Sequence, residues 1–174
     1  MGKVKKNKNE VLVTAEEIDA VTLKFEDFEY KDEFRLLCCL HPNKDRERLE
    51  IKDAVDEPEF NLRRPALLYI FAVDGKILKI GASMTSLKGR IGSYNCGTLS
   101  NRLRGTCSTT NFFVLQSLLN YGKVIDVYAF FIPQTVHDVF GQKKEMPHNP
   151  KYWENPILSK LKKEGRLPLF CTQR

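Results

Sequence analysis

The side chains best suited to chemistry in this sequence are a few phenol, cationic and carboxylate groups beside apolar segments. They are Tyr69, Lys79, Arg90, Tyr94 and Glu154. Guanidinium and ammonium groups bind phosphate oxygens through charge-assisted hydrogen bonds, and a carboxylate is a ligand for hard cations such as Mg²⁺. A site that combined these groups could bind a phosphate and a divalent cation together.

Each of these residues also has an ordinary structural explanation. Tyr69 could be a core aromatic, Lys79 could extend its amine to solvent, and Arg90 and Tyr94, four residues apart, could form a solvated helix face. The helix macrodipole alone explains a carboxylate such as Glu154 near a helix start. The functional hypothesis therefore depends on the order and spacing of the five residues together. Two further carboxylates, Glu145 and Glu164, stay open as alternative cation ligands.

The relation between Tyr69 and Lys79 depends on the turn between their strands. Asp74-Gly75 is a strong signal for a two-residue hairpin turn. A strict two-residue turn would pair Tyr69 with Ile80 and put Lys79 on the other face, whereas a three-residue loop would set Tyr69 opposite Lys79. A shared site requires the second register, or a bulge with the same effect.

Apolar periodicity and capping signals predict the surrounding elements. Thr14 to Glu17 has the pattern of a capping box that opens a short helix, and the charged residues 41–64 are interpreted as a loop or exposed arm. The order β-turn-β-α-α-β-loop-α then predicts a small α/β layer fold, in which helices cover a three-stranded sheet. The strands are predicted at 66–73, 76–81 and 124–132, the helices at about 87–94, 111–120 and 152–164, and an irregular segment at 133–150.

Positive charge is concentrated in one part of the chain. The net charge is +6 and the isoelectric point is about 9.0. From residue 75 to residue 125 the sequence has no Asp or Glu, but it has seven Lys and Arg residues: Lys76, Lys79, Lys88, Arg90, Arg102, Arg104 and Lys123. A surface without carboxylates favours a polyanionic partner such as a phosphate backbone.

The totals restrict the class of protein. A length of 174 residues predicts a single domain with room for an arm or lobe. The five cysteines are odd in number and lack CxxC spacing, which argues against a disulfide framework and a standard zinc site. No apolar run approaches the length of a membrane span, and the first residues do not form a signal peptide. We expect a soluble, cytoplasmic protein.

Over roughly residues 66–170 the order of these residues resembles the GIY-YIG nuclease superfamily. The family's first triplet corresponds to Leu67-Leu68-Tyr69 and its second triplet to Lys79-Ile80-Gly81. The helix Arg of the family falls on Arg90, the Tyr or His that follows it on Tyr94, and the metal-binding Glu of a late helix on Glu154.

The sequence departs from the family pattern in three ways. The first triplet lacks Gly-Ile, and Cys171 stands where the tail usually has Asn. Lys79 replaces the Tyr of the second triplet, which is similar to the small type II restriction endonucleases of this superfamily.

The resemblance implies Mg²⁺-dependent hydrolysis of DNA phosphodiester bonds, with one Mg²⁺ in each site and Mn²⁺ as a possible substitute. It implies that Tyr69 is the general base on water, with its pKa lowered by Lys79, Arg90 and the metal. Arg90 would clamp the phosphate, Tyr94 would hydrogen-bond the phosphate or the water, and Glu154 would be the metal ligand.

The same resemblance implies a type II restriction endonuclease that cuts double-stranded DNA. A short palindromic site would pair two active sites by twofold symmetry, so we expect a homodimer and a cognate methyltransferase in the host. Residues 1–13 are predicted as a disordered basic tail, 14–64 as an N-terminal extension for DNA recognition or dimerisation, and 65–174 as the nuclease core. Expected contacts with phosphates or bases are Arg63, Arg64, Lys88, Arg102 and Arg104.

Three alternative functions stay open at this point. One is a homing or mobile-element endonuclease, although such enzymes usually carry a separate C-terminal DNA-binding module. Another is a nucleic-acid-binding module without catalysis on the same fold. The third is a protein-interaction domain that uses its basic charge only for solubility.

Overall fold

The molecule is built around one mainly antiparallel sheet. The computed structural model describes residues 14–44, 48–55, 66–96, 103–104 and 109–171. In these ranges five strands form the sheet in the order β2-β1-β5-β3-β4, and each neighbouring pair is antiparallel. The predicted mixed α and β fold class is confirmed, with two more strands than the three that the sequence indicated. The strands are β1 (Arg35–Pro42), β2 (Leu49–Lys52), β3 (Leu67–Val73), β4 (Lys76–Ser83) and β5 (Ile125–Phe131).

Strand β3 is buried along its whole length because the sheet has a hydrophobic core on each face. Alternate side chains of a strand point to opposite faces, so Tyr69 and Phe71 enter one core while Leu68 and Ile70 enter the other. The described helices flank the sheet, and none of them is long and apolar enough to cross a membrane. They are α1 (Ala15–Val21), α2 (Leu87–Gly92), α3 (Thr109–Asn120) and α4 (Lys151–Lys163), with 3-10 turns at Lys31–Glu33, Ser93–Cys96 and Leu169–Cys171.

Residues 35–42 and 49–52 contribute two strands to the main sheet, which corrects the interpretation of residues 41–64 as a loop or arm. β1 pairs with the central strand β5, and β2 pairs with β1. The alternation in β2 is only four residues long and lies among charges, so its period-two signal is weak. The capping box that opens α1 is confirmed, because the Thr14 and Glu17 side chains each accept a hydrogen bond from the other's backbone N–H.

The prediction of an irregular segment at 133–150 is wrong. Strands β6 (Thr135–Val139) and β7 (Gln142–Met146) form a separate two-stranded hairpin. All of their residues are exposed. Neither strand therefore needs the alternation of apolar and polar residues by which a half-buried strand is predicted from sequence. The turn at Phe140 and Gly141 has two positive φ angles of 55° and 75°, which is the geometry of a tight hairpin turn.

The β3–β4 hairpin combines a two-residue turn with a bulge. Asp74 and Gly75 have φ angles of 48° and 74°, and the register then shifts between Ala72 and Phe71. The shift adds one residue to β4, so that Phe71 faces Lys79 and Tyr69 faces Gly81. A bulge reverses the face on which the following residues lie. Tyr69 and Lys79 are therefore diagonal neighbours on one face, as a shared site requires.

A core substitution tests whether β1 belongs to the same folding unit as the rest of the sheet. Leu40 is fully buried and Leu36, in the same strand, is 42% exposed. We expect Leu40→Ala to reduce the free energy of unfolding by about 2–5 kcal/mol and Leu36→Ala by about 0.5 kcal/mol or less. Urea unfolding measures both values. Similar small losses in the two variants would show that β1 is an independent arm.

Candidate active site

Tyr69 places a hydroxyl group in the middle of a core. It lies in β3 with no exposed surface, and two side chains contact its oxygen. Arg90 Nε donates a hydrogen bond to it at 3.0 Å, and the Tyr94 hydroxyl lies 2.8 Å away, with either oxygen as donor. The guanidinium carbon is 5.6 Å from the Tyr69 ring centre and 5.3 Å from the Tyr94 ring centre, within the range of cation–π attraction. One guanidinium therefore holds both phenols.

The short helix α2 positions the two partners of Tyr69. Its N-cap is Ser86, whose side chain accepts the Gly89 N–H, and the buried side chains Leu87 and Ile91 fix the helix on the sheet. The helix ends at Gly92, and Tyr94 follows in a 3-10 turn. Arg90 lies in the last turn of the helix, so both side chains reach the Tyr69 oxygen.

Gly81 provides the space for the Tyr69 ring. A Cβ atom at this position would lie 2.3 Å from Tyr69 Cζ and 2.3 Å from its oxygen. Atoms that are not bonded cannot approach so closely, and any side chain here would displace the ring. The glycine of the second triplet is therefore a requirement of close packing across the β3–β4 pair.

The C-terminal tail is attached to β4 beside this cluster. Lys79 Nζ donates a hydrogen bond to the Phe170 carbonyl oxygen at 3.2 Å. Cys171 Sγ accepts from the Ile80 N–H at 3.4 Å and donates to the Ile80 carbonyl at 3.3 Å. Cys171, which departs from the family pattern, thus binds the tail to the backbone of the second triplet.

Glu154 is a buried carboxylate in the first turn of α4. Only 5% of its surface is exposed. The Lys151 ammonium contacts Oε2 as an ion pair, but not in hydrogen-bond geometry, so Oε2 receives no hydrogen bond from the described residues. Its charge raises the pKa of Tyr69 and of Lys79, although neither effect is the largest on its group. The five predicted residues are therefore brought together.

Comparisons with known proteins identify the family. No family model and no curated protein matches this sequence. Among solved structures, the restriction endonuclease HPY188I in complex with product DNA is 42% identical, with 98% of each chain covered and a TM-score of 0.62. The chain belongs to the family of the restriction endonuclease HPY188I. A mutant of bacteriophage T4 EndoII is 18% identical over 80% of this chain and 95% of that one, with a TM-score of 0.55; this likeness supports the fold alone.

In this member of the HPY188I family, burial sets the protonation of the site. Burial raises the pKa of Tyr69, and the Arg90 charge lowers it only in part. Arg90 therefore acts in the predicted direction, but the net direction is opposite to the predicted depression, because desolvation disfavours a phenolate. Burial also raises the pKa of Tyr94 and lowers that of Lys79. In all three groups burial favours the neutral form.

Glu154 could bind a divalent cation whose other ligands are waters and substrate oxygens. Among the described residues, no group of three or more His, Cys, Asp and Glu side chains could hold a metal ion. Glu154 Oε2 is a buried carboxylate oxygen without a hydrogen bond. Mg²⁺ usually keeps several waters and needs only one or two protein carboxylates beside substrate phosphates. The donor set of this site is therefore compatible with Mg²⁺.

The acid-free stretch carries less free positive charge than the sequence suggested. Lys76 forms an ion pair with Asp19, and Lys123 forms one with Asp74 at 2.6 Å. Both acids lie outside residues 75–125, and the pairing of Lys76 with Asp19 required the folded chain. Of the five predicted DNA contacts, Lys88 and Arg104 are exposed, while Arg63, Arg64 and Arg102 lie outside the described residues.

Sequence reasoning missed three residues that shape the site. The Phe71 ring lies 5.2 Å from Tyr69 and 5.3 Å from Tyr94. The Asn95 amide bonds both the N–H and the carbonyl of Leu49, at 2.8 Å and 3.1 Å, and so anchors β2 beside Tyr94. Lys151 pairs with Glu154; the spacing of three residues was an available signal, but the predicted helix began one residue later, at 152.

Alkaline unfolding tests the raised pKa of Tyr69. Below pH 10 the Tyr is protonated in both states, so its contribution to stability is fully present. Above pH 10 the unfolded chain loses the proton near its ordinary pKa while buried Tyr69 keeps it. The unfolded state then binds fewer protons, and the free energy of unfolding falls by up to about 1.4 kcal/mol per pH unit.

We expect urea unfolding between pH 8 and pH 11 to show a smaller alkaline loss in Tyr69→Phe than in the wild type. Leu67→Ala, in the same strand and core, is the control. It should lower stability at every pH and keep the slope of the wild type. Equal slopes in Tyr69→Phe and the wild type would mean that Tyr69 does not keep its proton.

The close approach of Tyr69 to Gly81 gives a further prediction. Gly81→Ala should reduce the free energy of unfolding by about 1–3 kcal/mol, because the added Cβ overlaps the ring. Gly92→Ala is the matched control, since a Cβ there would meet nothing within 4 Å, and Ala in a helix should be neutral or stabilising by up to about 1 kcal/mol. Denaturant unfolding compares the two; an equal effect would contradict the contact.

Proposed function

We propose that this chain is a site-specific double-stranded DNA endonuclease of the type II restriction class, with a GIY-YIG-type active site. The observation that carries the proposal is the 42% identity to HPY188I, a restriction endonuclease bound to product DNA, over 98% of both chains. The proposed catalytic residues are Tyr69, Lys79, Arg90, Tyr94 and Glu154.

The cations of the site are suited to a phosphodiester. A guanidinium has five N–H donors, and Arg90 uses its Nε–H for the Tyr69 oxygen. It can therefore hold Tyr69 and clamp a phosphate at the same time. Lys79 adds an ammonium on the same face of the sheet. A phosphate beside Lys79 would favour its charged form and oppose the effect of burial on its pKa.

Tyr69 is the proposed general base. The phenolate form, held by hydrogen bonds from Arg90 and Tyr94, would accept the proton of the attacking water and become a neutral phenol. Both bonds favour the charged form. Because burial raises the pKa of Tyr69, the base would be scarce at neutral pH, and the rate of cleavage would rise with pH through the alkaline range.

Glu154 is the proposed ligand of one Mg²⁺, which Mn²⁺ could replace because both accept carboxylate oxygen. When bound, Mg²⁺ would supply positive charge to the scissile phosphate and to the 3′ leaving oxygen. Glu154 itself would fix the position of the cation, since its carboxylate is buried at the start of α4.

The proposal extends to partners. Two copies related by a twofold axis would cut both strands of a palindromic site, so we propose a homodimer on DNA and a methyltransferase that protects the host site. Positioning contacts with phosphates outnumber contacts with bases. The proposed DNA contacts are Lys88 and Arg104, both exposed, together with Arg63, Arg64 and Arg102.

Digestion of unmethylated phage DNA tests the function. We expect the full-length protein to give discrete fragments with Mg²⁺ and none with EDTA. Glu154→Gln, which removes the charge and keeps the shape, should lower the rate by at least about 10²-fold, as expected when a group that stabilises transition-state charge is lost.

Two matched variants test the choice of carboxylate. Glu145 and Glu164 are both exposed, and Glu145→Gln and Glu164→Gln should cut at the rate of the wild type. Loss of cutting in either would move the metal ligand away from Glu154. DNA binding without cutting by the wild type, with affinity that falls steeply with salt, would favour a non-catalytic binding module instead.

A further inference from the structure

We propose that Lys151 is an internal cation that competes with the divalent cation for Glu154, so that the metal binds only when the Lys151 side chain moves away. The inference rests on the proposed function, because it concerns the regulation of the cation site that this function requires. Nothing in the proposed mechanism otherwise uses Lys151.

The two partners of this ion pair differ in their freedom to move. The Lys151 side chain is 48% exposed, whereas the Glu154 side chain is 6% exposed. An exposed Lys can exchange its partner for water at little cost, but a buried carboxylate that lost every partner would be strongly destabilising. Lys151 is therefore the mobile member of the pair, and Glu154 can release it only to another cation.

Helix stability does not explain Lys151. It is the first residue of α4, directly after the N-cap Pro150, and a positive charge at a helix N-terminus opposes the macrodipole. The ordinary preference at this position is for Asp or Glu. The contact with Glu154 explains why a positive charge lies at this position.

The contact also involves the oxygen that a metal would need. Lys151 Nζ lies against Oε2 of Glu154, and that oxygen receives no hydrogen bond from the described residues. A divalent cation and an ammonium at the same oxygen would repel each other, so they exclude one another. Arg90 already adds a positive charge beside Tyr69 in this site, which makes simultaneous occupancy still less favourable.

Binding of Mn²⁺ to the full-length protein without DNA tests the inference. Isothermal titration measures the affinity, and the part of the binding that Glu154→Gln removes identifies the site. We expect Lys151→Met, which keeps most of the length of the side chain and removes its charge, to bind Mn²⁺ about two- to fivefold more tightly. This is the range for an ion pair with one exposed partner.

A second variant separates the contact from the general charge of the helix start. Lys151→Met combined with Tyr152→Lys keeps the net charge of the first turn, and Tyr152 is 74% exposed. If the contact with Glu154 is the cause, the double variant binds Mn²⁺ as tightly as Lys151→Met. If only net charge matters, it returns to the affinity of the wild type, and the inference is wrong.

The remaining outcomes also decide the question. Equal or weaker Mn²⁺ binding by Lys151→Met would overturn the inference. Absence of Glu154-dependent binding in both the wild type and Lys151→Met would overturn it as well. The digestion experiment distinguishes this result from a failure of the proposed function. If DNA supplies the missing ligands, Mg²⁺-dependent cutting that requires Glu154 would persist even though the protein alone does not bind Mn²⁺.

Discussion

The structure around the site depends on one constraint, which is the burial of the Tyr69 hydroxyl. A hydroxyl without a partner inside a core costs a few kcal/mol, and this one lies in a strand that is buried on both faces. Arg90 and Tyr94 satisfy it from the helix and turn that follow β4. Gly81 leaves room for the ring on the neighbouring strand. The hairpin, its bulge and α2 are arranged about this oxygen.

The same burial keeps the charge of the site low before a substrate arrives. It favours the neutral forms of Tyr69 and Lys79, while the buried carboxylate of Glu154 contacts Lys151. A phosphate would favour the charged form of Lys79, because an anion nearby stabilises an ammonium. Phosphate binding and the protonation of Lys79 are therefore coupled. A count of positive residues in the sequence does not include this coupling.

Local signals explain how much the sequence could predict. The Asp74-Gly75 turn and the capping box at Thr14 are determined by neighbouring residues, and the sequence indicated both. The five candidate residues could be proposed from the sequence because their order along the chain follows the hairpin and helices that carry them. Strand β2 and the exposed β6–β7 hairpin were missed because neither has a buried alternating face of sufficient length.

What the sequence could not provide is mostly tertiary. The bulge at Phe71 and Ala72 depends on packing across strands, and the direction of the Tyr69 pKa depends on burial that no spacing reveals. The tail shows why motif letters and physical roles differ. Cys171 stands where the family pattern has Asn, yet its thiol meets both the N–H and the carbonyl of Ile80. The thiol both donates to and accepts from that backbone, as an amide side chain also can, although a thiol does so more weakly. A departure from a motif therefore counts against a function only when the replacement cannot make the contact that the motif residue would make.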